Sequence, residues 1–347
     1  MKKIKVLHLI STDIFSGAEN VACQIIKQFE TDDKYDMVYC SKIGSNKDRL
    51  DSLKIKTLPI KNFDYWSVKK AIDQYKPDII HGHDIKASII ASMFSNKAKI
   101  VSHIHANHEN MRKFNIKTFL YSLTIKKYSK IIWVSQSALD SFYYVNMVRD
   151  ESIVLYNVVD SKALLENLKK DTTDYEFDLI YLGRLNYQKN PERLIKIIKD
   201  IKVKGYNVKV AIVGTGELHE SIKKLIDNFE LNENVKLFGY VTNPYKILND
   251  SKILIMTSRY EGTPMVALEA MALGKPIIST PTDGLRDIID NDKTGFLSND
   301  DDELSEKIIE VLSDKDKYNE WCKCVKKKND DINNIENYCA EMRKIYE

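Results

Sequence analysis

Short apolar runs alternate with amphipathic segments along almost the whole chain, and this alternation constrains the fold more than any other feature. The runs cover 4–10, 35–41, 78–83, 99–105, 130–135 and 153–157 in the first half. In the second half they cover 178–184, 208–214, 235–239, 253–258, 276–280 and 295–297. They are continuous and rich in Val, Ile and Leu, as strands covered on both faces should be. Segments of helical period, such as 18–29, 191–203 and 218–229, lie between them. Strand–helix alternation of this kind predicts parallel, doubly wound sheets. Twelve runs are too many for one such sheet, and 347 residues exceed the usual span of one core. The expectation is an α/β chain of two Rossmann-like domains, 1–162 and 176–330, followed by a helical segment 331–347. The polar stretch 162–175 carries no sheet signal and is expected to be the linker.

Composition narrows the class. Apolar residues at 43% and charged residues at 30% describe a folded globular protein. A net charge of +3 gives no argument for nucleic acid. Cys23, Cys40, Cys322, Cys324 and Cys339 are scattered and match no zinc spacing, which predicts free thiols in a reducing compartment. The opening MKKIKVLHLISTD has too short an apolar run for a signal peptide and is expected to be the first strand. No stretch approaches membrane-spanning length. A cytoplasmic location is expected.

Ligands of open α/β sheets sit beyond the carboxyl ends of the strands, so the strand ends carry the search for function. The run 178–182 leads into Gly183-Arg184-Leu185-Asn186-Tyr187-Gln188-Lys189-Asn190-Pro191, with two cations in one loop before a helix. That pattern suits an anion, although solvated loop charges explain it as well. Gly214-Thr215-Gly216 ends the next run; it lacks the third glycine of the dinucleotide fingerprint and could be a plain strand-to-helix turn. The run 253–258 leads into YEGTPMVALEAMALGKPIISTPTDG, where Thr263 is expected as N-cap and Pro264 as first helical residue. From Pro264 the helix should run through 273 and stop at Gly274, with the Met265 and Val266 amides available to an anion. Glu261 and Glu269 stand in this segment. Alone, Glu269 could be an exposed helix position and Glu261 a carboxylate favoured by a helix start.

In the first half, Ser11–Glu19 places Gly17 just before a helix. The run 99–105 puts Val101, His103 and His105 on one face, with His105 at its end. His81 and His83 close another run. These four histidines fit no familiar zinc spacing.

The motifs SGAENVACQII, LYNVVD, YLGRLNYQKNPERLI, VAIVGTGE and EGTPMVALEAMALGKPII, in this order along the chain, resemble the retaining glycosyltransferases of the GT4 type. The resemblance spans nearly the full length, with Ser16 in place of the family's first loop glycine. It implies the GT-B fold, two Rossmann-like domains facing each other across a cleft. It also implies a nucleotide-sugar donor, UDP-sugar preferred, and a glycan or lipid-linked acceptor in capsule, exopolysaccharide or lipopolysaccharide synthesis. Under this resemblance Arg184 and Lys189 clamp the diphosphate, helped by the Met265 and Val266 amides, Gly17 and Gly214. Glu269 accepts from the ribose, Glu261 holds sugar hydroxyls, and Val241 offers main-chain contacts to the base. His105 is the acceptor-side histidine, with His103 its rival in register. Retention would follow a front-face route in which the departing phosphate takes the acceptor proton. No cofactor and no divalent metal are expected; Asp290-Asn291-Asp292 is expected to be a turn. A non-catalytic nucleotide-sugar module, an epimerase or a phosphorylase on the same fold are the alternatives.

The stretch Arg112–Lys130, RKFNIKTFLYSLTIKKYSK, has six cations and no acids. Ile116, Phe119, Leu120 and Leu123 are expected to form the core stripe of a helix with Lys113 and Lys117 outward. That basic face could meet an anionic membrane surface at the inner leaflet, or be an ordinary solvated face.

Overall fold

The computed structural model describes residues 2–15, 17–105 and 109–347. Two compact units emerge: Met1–Asn157 with Ile335–Glu347, and Val158–Asn334. Each holds one six-stranded parallel sheet. The first contains β1 (Ile4–Leu9), β2 (Tyr35–Cys40), β3 (Ile79–Gly82), β4 (Lys99–Ile104), β5 (Lys130–Trp133) and β6 (Ser152–Val154). Its order is β2-β1-β3-β4-β5-β6. The second contains β7 (Phe177–Leu182), β8 (Val210–Val213), β9 (Val235–Gly239), β10 (Ser251–Met256), β11 (Ile277–Ser279) and β12 (Gly295–Leu297), in the order β12-β11-β10-β7-β8-β9. Each expected run contains a strand, trimmed or shifted by a few residues.

Strand order reverses between β1 and β3 in the first sheet and between β7 and β10 in the second. Crevices open at such reversals, beyond the carboxyl ends. The loops after β7 and β10 therefore carry the site in the second unit. Both faces of each sheet are covered. In the first unit Leu7, Leu9, Ile80, Ile100 and Ile104 join one aliphatic core. In the second, Leu179, Tyr181, Val210 and Ile212 pack with Leu194, Ile197 and others from helix Pro191–Val203. Each such side chain contributes about 1.5–3 kcal/mol when removed from water.

Three local expectations are corrected. The supposed linker contains the helix Ser161–Leu168, in the second unit. Asp160 caps it by accepting from the Ala163 amide at 2.9 Å, and Leu164 is its buried anchor. A helix this short needs one cap and one apolar contact, which a sheet-based reading misses.

Helix Ile116–Ser122 turns the other way from its expected orientation. Ile116, Phe119, Leu120 and Leu123 are 75%, 42%, 45% and 63% exposed, while Thr118, Tyr121 and Ser122 face inward. The inward face is held by polar and aromatic contacts. The Tyr121 hydroxyl meets Ser102 Oγ at 2.8 Å, and its ring stacks on Tyr128 with centroids 5.2 Å apart.

Helix Met265–Ala272 starts one residue later than expected, with Pro264 rather than Thr263 as N-cap. Its far end matches the expected stop. Gly274 has φ +69, its amide bonds Met271 O at 2.9 Å, and the Lys275 amide bonds Ala270 O at 2.9 Å. These two bonds make a Schellman cap.

The final helix, Ile335–Tyr346, belongs to the first unit. Arg343 Nε reaches Asp32 at 3.1 Å, and the Tyr346 hydroxyl shares a 2.8 Å hydrogen bond with His81 Nδ1. Among the described residues no helix is long and apolar enough to cross a membrane. All five cysteines are unpaired.

Candidate active site

The loops that follow β7 and β10 are tied to each other. The Arg259 amide donates to Gln188 O at 2.8 Å, and Gln188 Nε2 donates to Tyr260 O at 3.1 Å. Thr257 Oγ1 donates to Asn190 O at 2.9 Å, and Arg259 Nη2 donates to Asn190 Oδ1 at 2.9 Å. Asn190 adopts a left-handed conformation, φ 51, that turns the loop into helix Pro191–Val203. Two loops distant in sequence thus form one surface at the reversal point.

Lys189 and Glu261 meet on that surface. Lys189 Nζ donates to Glu261 Oε1 at 2.6 Å, and Ser258 Oγ donates to the same oxygen at 2.6 Å. Both charged side chains are largely sequestered, 19% and 6% exposed. A carboxylate this buried would be costly without such donors. Arg184 stands at the exposed start of the same loop, and its carbonyl accepts from the Tyr181 hydroxyl at 2.9 Å.

Glu269 is 8% exposed, which rules out the surface position considered for it. It sits in a helix buried from Met265 through Met271, and the Tyr245 hydroxyl donates to Glu269 Oε1 at 3.3 Å. The first turns of this helix close on Pro264 O, from the Ala267 amide at 3.0 Å and the Leu268 amide at 3.4 Å. The Met265 and Val266 amides precede these and are the leading donors of the helix.

Gly214 has a structural job. Its φ is +138, and a Cβ there would lie 1.9 Å from Gly183 O. The ladder runs on past the strands, with the Gly183 amide on Val213 O at 3.0 Å and the Leu185 amide on Thr215 O at 2.9 Å. The glycine lets the β8 end press against the β7 loop, so the turn explanation accounts for this residue. Val241 follows β9 and is half-buried, just past Gly239 at φ +69. Asp290-Asn291-Asp292 forms a turn: the Asp290 amide donates to Thr294 Oγ1 at 2.8 Å, and Asp292 has φ 60.

In the first unit, Gly17 begins the helix Gly17–Gln28 and is exposed, with nothing within 4 Å of a Cβ built there. Ser16 lies outside the described residues. His103 is fully buried in β4, whereas His105 just past the strand is half-buried. Of the two, only His105 has surface to offer a substrate.

These histidines belong to a larger group. His8 pairs in register with His81, and Gly82 with Ser102, so His8, His81, His83, His103 and His105 line one face of β1, β3 and β4. His8 Nδ1 lies 2.9 Å from His83 Nε2, and His83 Nδ1 lies 3.0 Å from His105 Nε2. Burial pushes His8 and His105 down to about 3, and burial plus the neighbouring rings lowers His81, His83 and His103 well below 6.5. All five are neutral imidazoles at physiological pH.

The second unit therefore gathers Lys189, Glu261 and the loop of Arg184 at one reversal point, and places Glu269 on the adjoining buried helix. Ser258 and Tyr245, the partners of the two glutamates, were not singled out from sequence. His8 was also missed; its only signal is its place opposite His81, which requires knowing the strand order.

Paired parallel sheets of this kind define the GT-B architecture, and comparison with known proteins agrees. Residues 15–163 match the family model Glycosyltransferase Family 4, and residues 165–328 match Glycosyl transferases group 1. The two matches adjoin and take in most of the chain, which belongs to the GT4-like glycosyltransferases of GT-B fold. An uncharacterised glycosyltransferase of Methanocaldococcus jannaschii is 29% identical over 238 residues, 62% of this chain and 58% of the relative. That match thus spans little more than half of the relative's length. The capsular polysaccharide biosynthesis glycosyltransferase CapH of Staphylococcus aureus is 25% identical over 283 residues, 77% of this chain and 78% of CapH. The crystal structure of Anabaena HepE in complex with UDP and glucose superposes with a TM-score of 0.85 at 18% identity, covering 98% of each chain.

Proposed function

We propose that the chain is a retaining glycosyltransferase that moves a hexose-type sugar from a UDP-sugar to a hydroxyl of a glycan or lipid-linked oligosaccharide in cell-surface polysaccharide synthesis. The observation that carries this reading is the pair of buried carboxylates, Glu261 at 5% and Glu269 at 8% exposure, beside a loop bearing Arg184 and Lys189. Polyhydroxylated ligands satisfy carboxylate acceptors, and a diphosphate satisfies cations.

Glu269 accepts from the ribose hydroxyls, and Glu261 from hydroxyls of the transferred sugar. Lys189 and Ser258 both donate to Oε1 of Glu261, which leaves Oε2 to take a sugar hydroxyl. Arg184, Lys189 and the Met265 and Val266 amides stabilise the diphosphate as it gains charge on departure. Those cations supply the charge a divalent metal would otherwise bring. Gly17 adds a phosphate contact, and Val241 a main-chain contact to the base. His105 attends the reacting sugar or the acceptor.

A carboxylate already bonded to a lysine and a serine is a poor nucleophile, which supports front-face retention over double displacement. The glycosidic C–O bond to the diphosphate breaks, the acceptor oxygen bonds the same face of the anomeric carbon, and the leaving phosphate oxygen takes the acceptor proton. UDP is favoured because Anabaena HepE, of the same fold, was solved with it. The name of CapH favours a capsule-type product.

The chain works at the inner face of the membrane, held through Arg112–Lys130. The exposed apolar face of helix Ile116–Ser122, next to exposed Arg112, Lys113, Lys117 and Lys127, supports this. Such a surface combines apolar insertion with attraction to anionic lipid.

Saturation-transfer NMR against a panel of nucleotide-sugars tests the donor assignment. Glu269→Ala should weaken donor binding at least tenfold, and Arg184→Ala should mainly lower turnover. Parent-like activity in both variants would overturn the site. A product of inverted anomeric configuration would overturn retention, and donor binding without UDP release to any acceptor would leave a binding module.

A further inference from the structure

The face of β1, β3 and β4 that carries the histidines is chemically odd. Its opposite face is filled by Leu7, Leu9, Ile80, Ile100 and Ile104, which need no polar partners. Five imidazoles bring ten ring nitrogens, and five of those are engaged in the contacts His8–His83, His83–His105 and His81–Tyr346. The other five are buried without a partner among the described residues: His8 Nε2, His81 Nε2, both nitrogens of His103 and His105 Nδ1. Each orphaned polar atom costs about 1–3 kcal/mol. Buried orphans call for unseen partners, and the fully unpartnered ring of His103 is the one a bound ion would relieve directly.

We propose that His83, His103 and His105 form a three-histidine site for a transition-metal dication, zinc foremost, with one coordination position left to solvent. One ring nitrogen from each of these three residues lies within 4.8 Å of the other two. His83 Nδ1 and His105 Nε2 are 3.0 Å apart. Two ligands on a tetrahedral zinc ion, with Zn–N bonds of about 2.0–2.1 Å, stand about 3.3 Å apart. For that pair a shift of a few tenths of an ångström makes the spacing that of shared coordination, and His103, within 4.8 Å, would have to draw in by up to about 1.5 Å. The tautomers agree: with Nδ1 of His83 on the ion, its Nε2–H donates to His8 Nδ1. That is the outer hydrogen bond that orients a metal-bound imidazole. An all-imidazole set suits zinc, copper or nickel rather than magnesium or calcium.

Two other roles for the cluster are less well supported. His8, His81 and His83 also bring ring nitrogens together, but all three are fully buried and His81 Nδ1 already bonds Tyr346. His105 at the end of β4 gives the preferred set a way in. A proton relay along His105–His83–His8 would end at His8 Nε2, which among the described residues has no partner to pass the proton on. The ion would tie the ends of β3 and β4 and fix the ring of His105. Its ligands do not include Arg184 or Lys189, the cations expected to grip the donor diphosphate.

The untagged full-length chain, stripped with chelator and titrated with Zn2+ or Co2+, should retain one ion per chain by elemental analysis. Co2+ should give the visible d–d bands of a four-coordinate centre. His103→Gln and His105→Gln should each weaken retention at least tenfold, while His81→Gln keeps it. Should a variant fail to fold, nitrogen-15 imidazole spectra of the parent give the count directly: Zn2+ should perturb three rings as ligands. No retained ion, no perturbed ring, or His81→Gln losing as much affinity as His103→Gln would overturn the proposal. Donor binding by saturation transfer should persist after chelation, so failure of the metal site and failure of the donor site remain distinct.

Discussion

Glu261 and Glu269 show how a carboxylate survives inside an apolar segment. Glu261 is held by Lys189 and Ser258, and Glu269 by Tyr245. Their partners come from other loops, so the two glutamates were legible in sequence as anomalies but not as bonded groups. Gly214 makes the opposite point. It reads as a ligand-approach glycine, yet a Cβ would collide with a backbone carbonyl of the neighbouring loop. Gly214→Ala should therefore lower unfolding free energy by about 3 kcal/mol, from the strained φ and the clash together. Urea denaturation of the variant measures this, and parent-like stability would show that the close approach imposes nothing.

Helix Ile116–Ser122 and its continuation carry two stripes of the same period. Ile116, Phe119, Leu120 and Leu123 form one; Thr118, Tyr121, Ser122 and Ile125 form the other. Hydrophobicity favours the first as core, but the second is buried. The choice was made by the hydroxyl of Ser102 and the ring of Tyr128, which receive Tyr121 and belong to other elements. If the rejected stripe meets lipid, Phe119→Ser with Leu123→Ser should weaken partitioning onto anionic vesicles at least tenfold, about 1.4 kcal/mol. The melting temperature should hold, since both side chains are exposed. Binding should fall with salt and be poor on neutral vesicles. Vesicle sedimentation that finds equal partitioning of parent and variant would refute the membrane assignment.

Across the molecule, the histidine face couples folding to pH. An unfolded imidazole titrates near 6.5, whereas burial brings His8 down to about 3 and drives His81, His83 and His103 the same way. Below 6.5 the unfolded chain of the metal-free protein binds more protons than the folded one. The stability from neutral burial is complete above that pH and is lost as pH falls through it, by about 1.4 kcal/mol per pH unit for each buried ring. Urea midpoints should accordingly drop between about pH 7.5 and about pH 5.5. A flat profile over that range would mean the rings are not held neutral.

Periodicity and turn chemistry, which depend on neighbours within a few residues, were enough to give twelve strands, the two-sheet plan and the Gly274 helix stop. The order of motifs was enough to reach the family. Side-chain partnership was not available at that level, because it depends on strand order and on loops far apart in the chain. Parallel pairing of β1 with β3 and β3 with β4 is what turns five scattered histidines into one cluster. The reversal between β7 and β10 likewise brings Lys189 to Glu261 across 72 positions of sequence. Local chemistry chose the elements; burial and register, which exist only once the sheets have formed, chose which polar groups share a site.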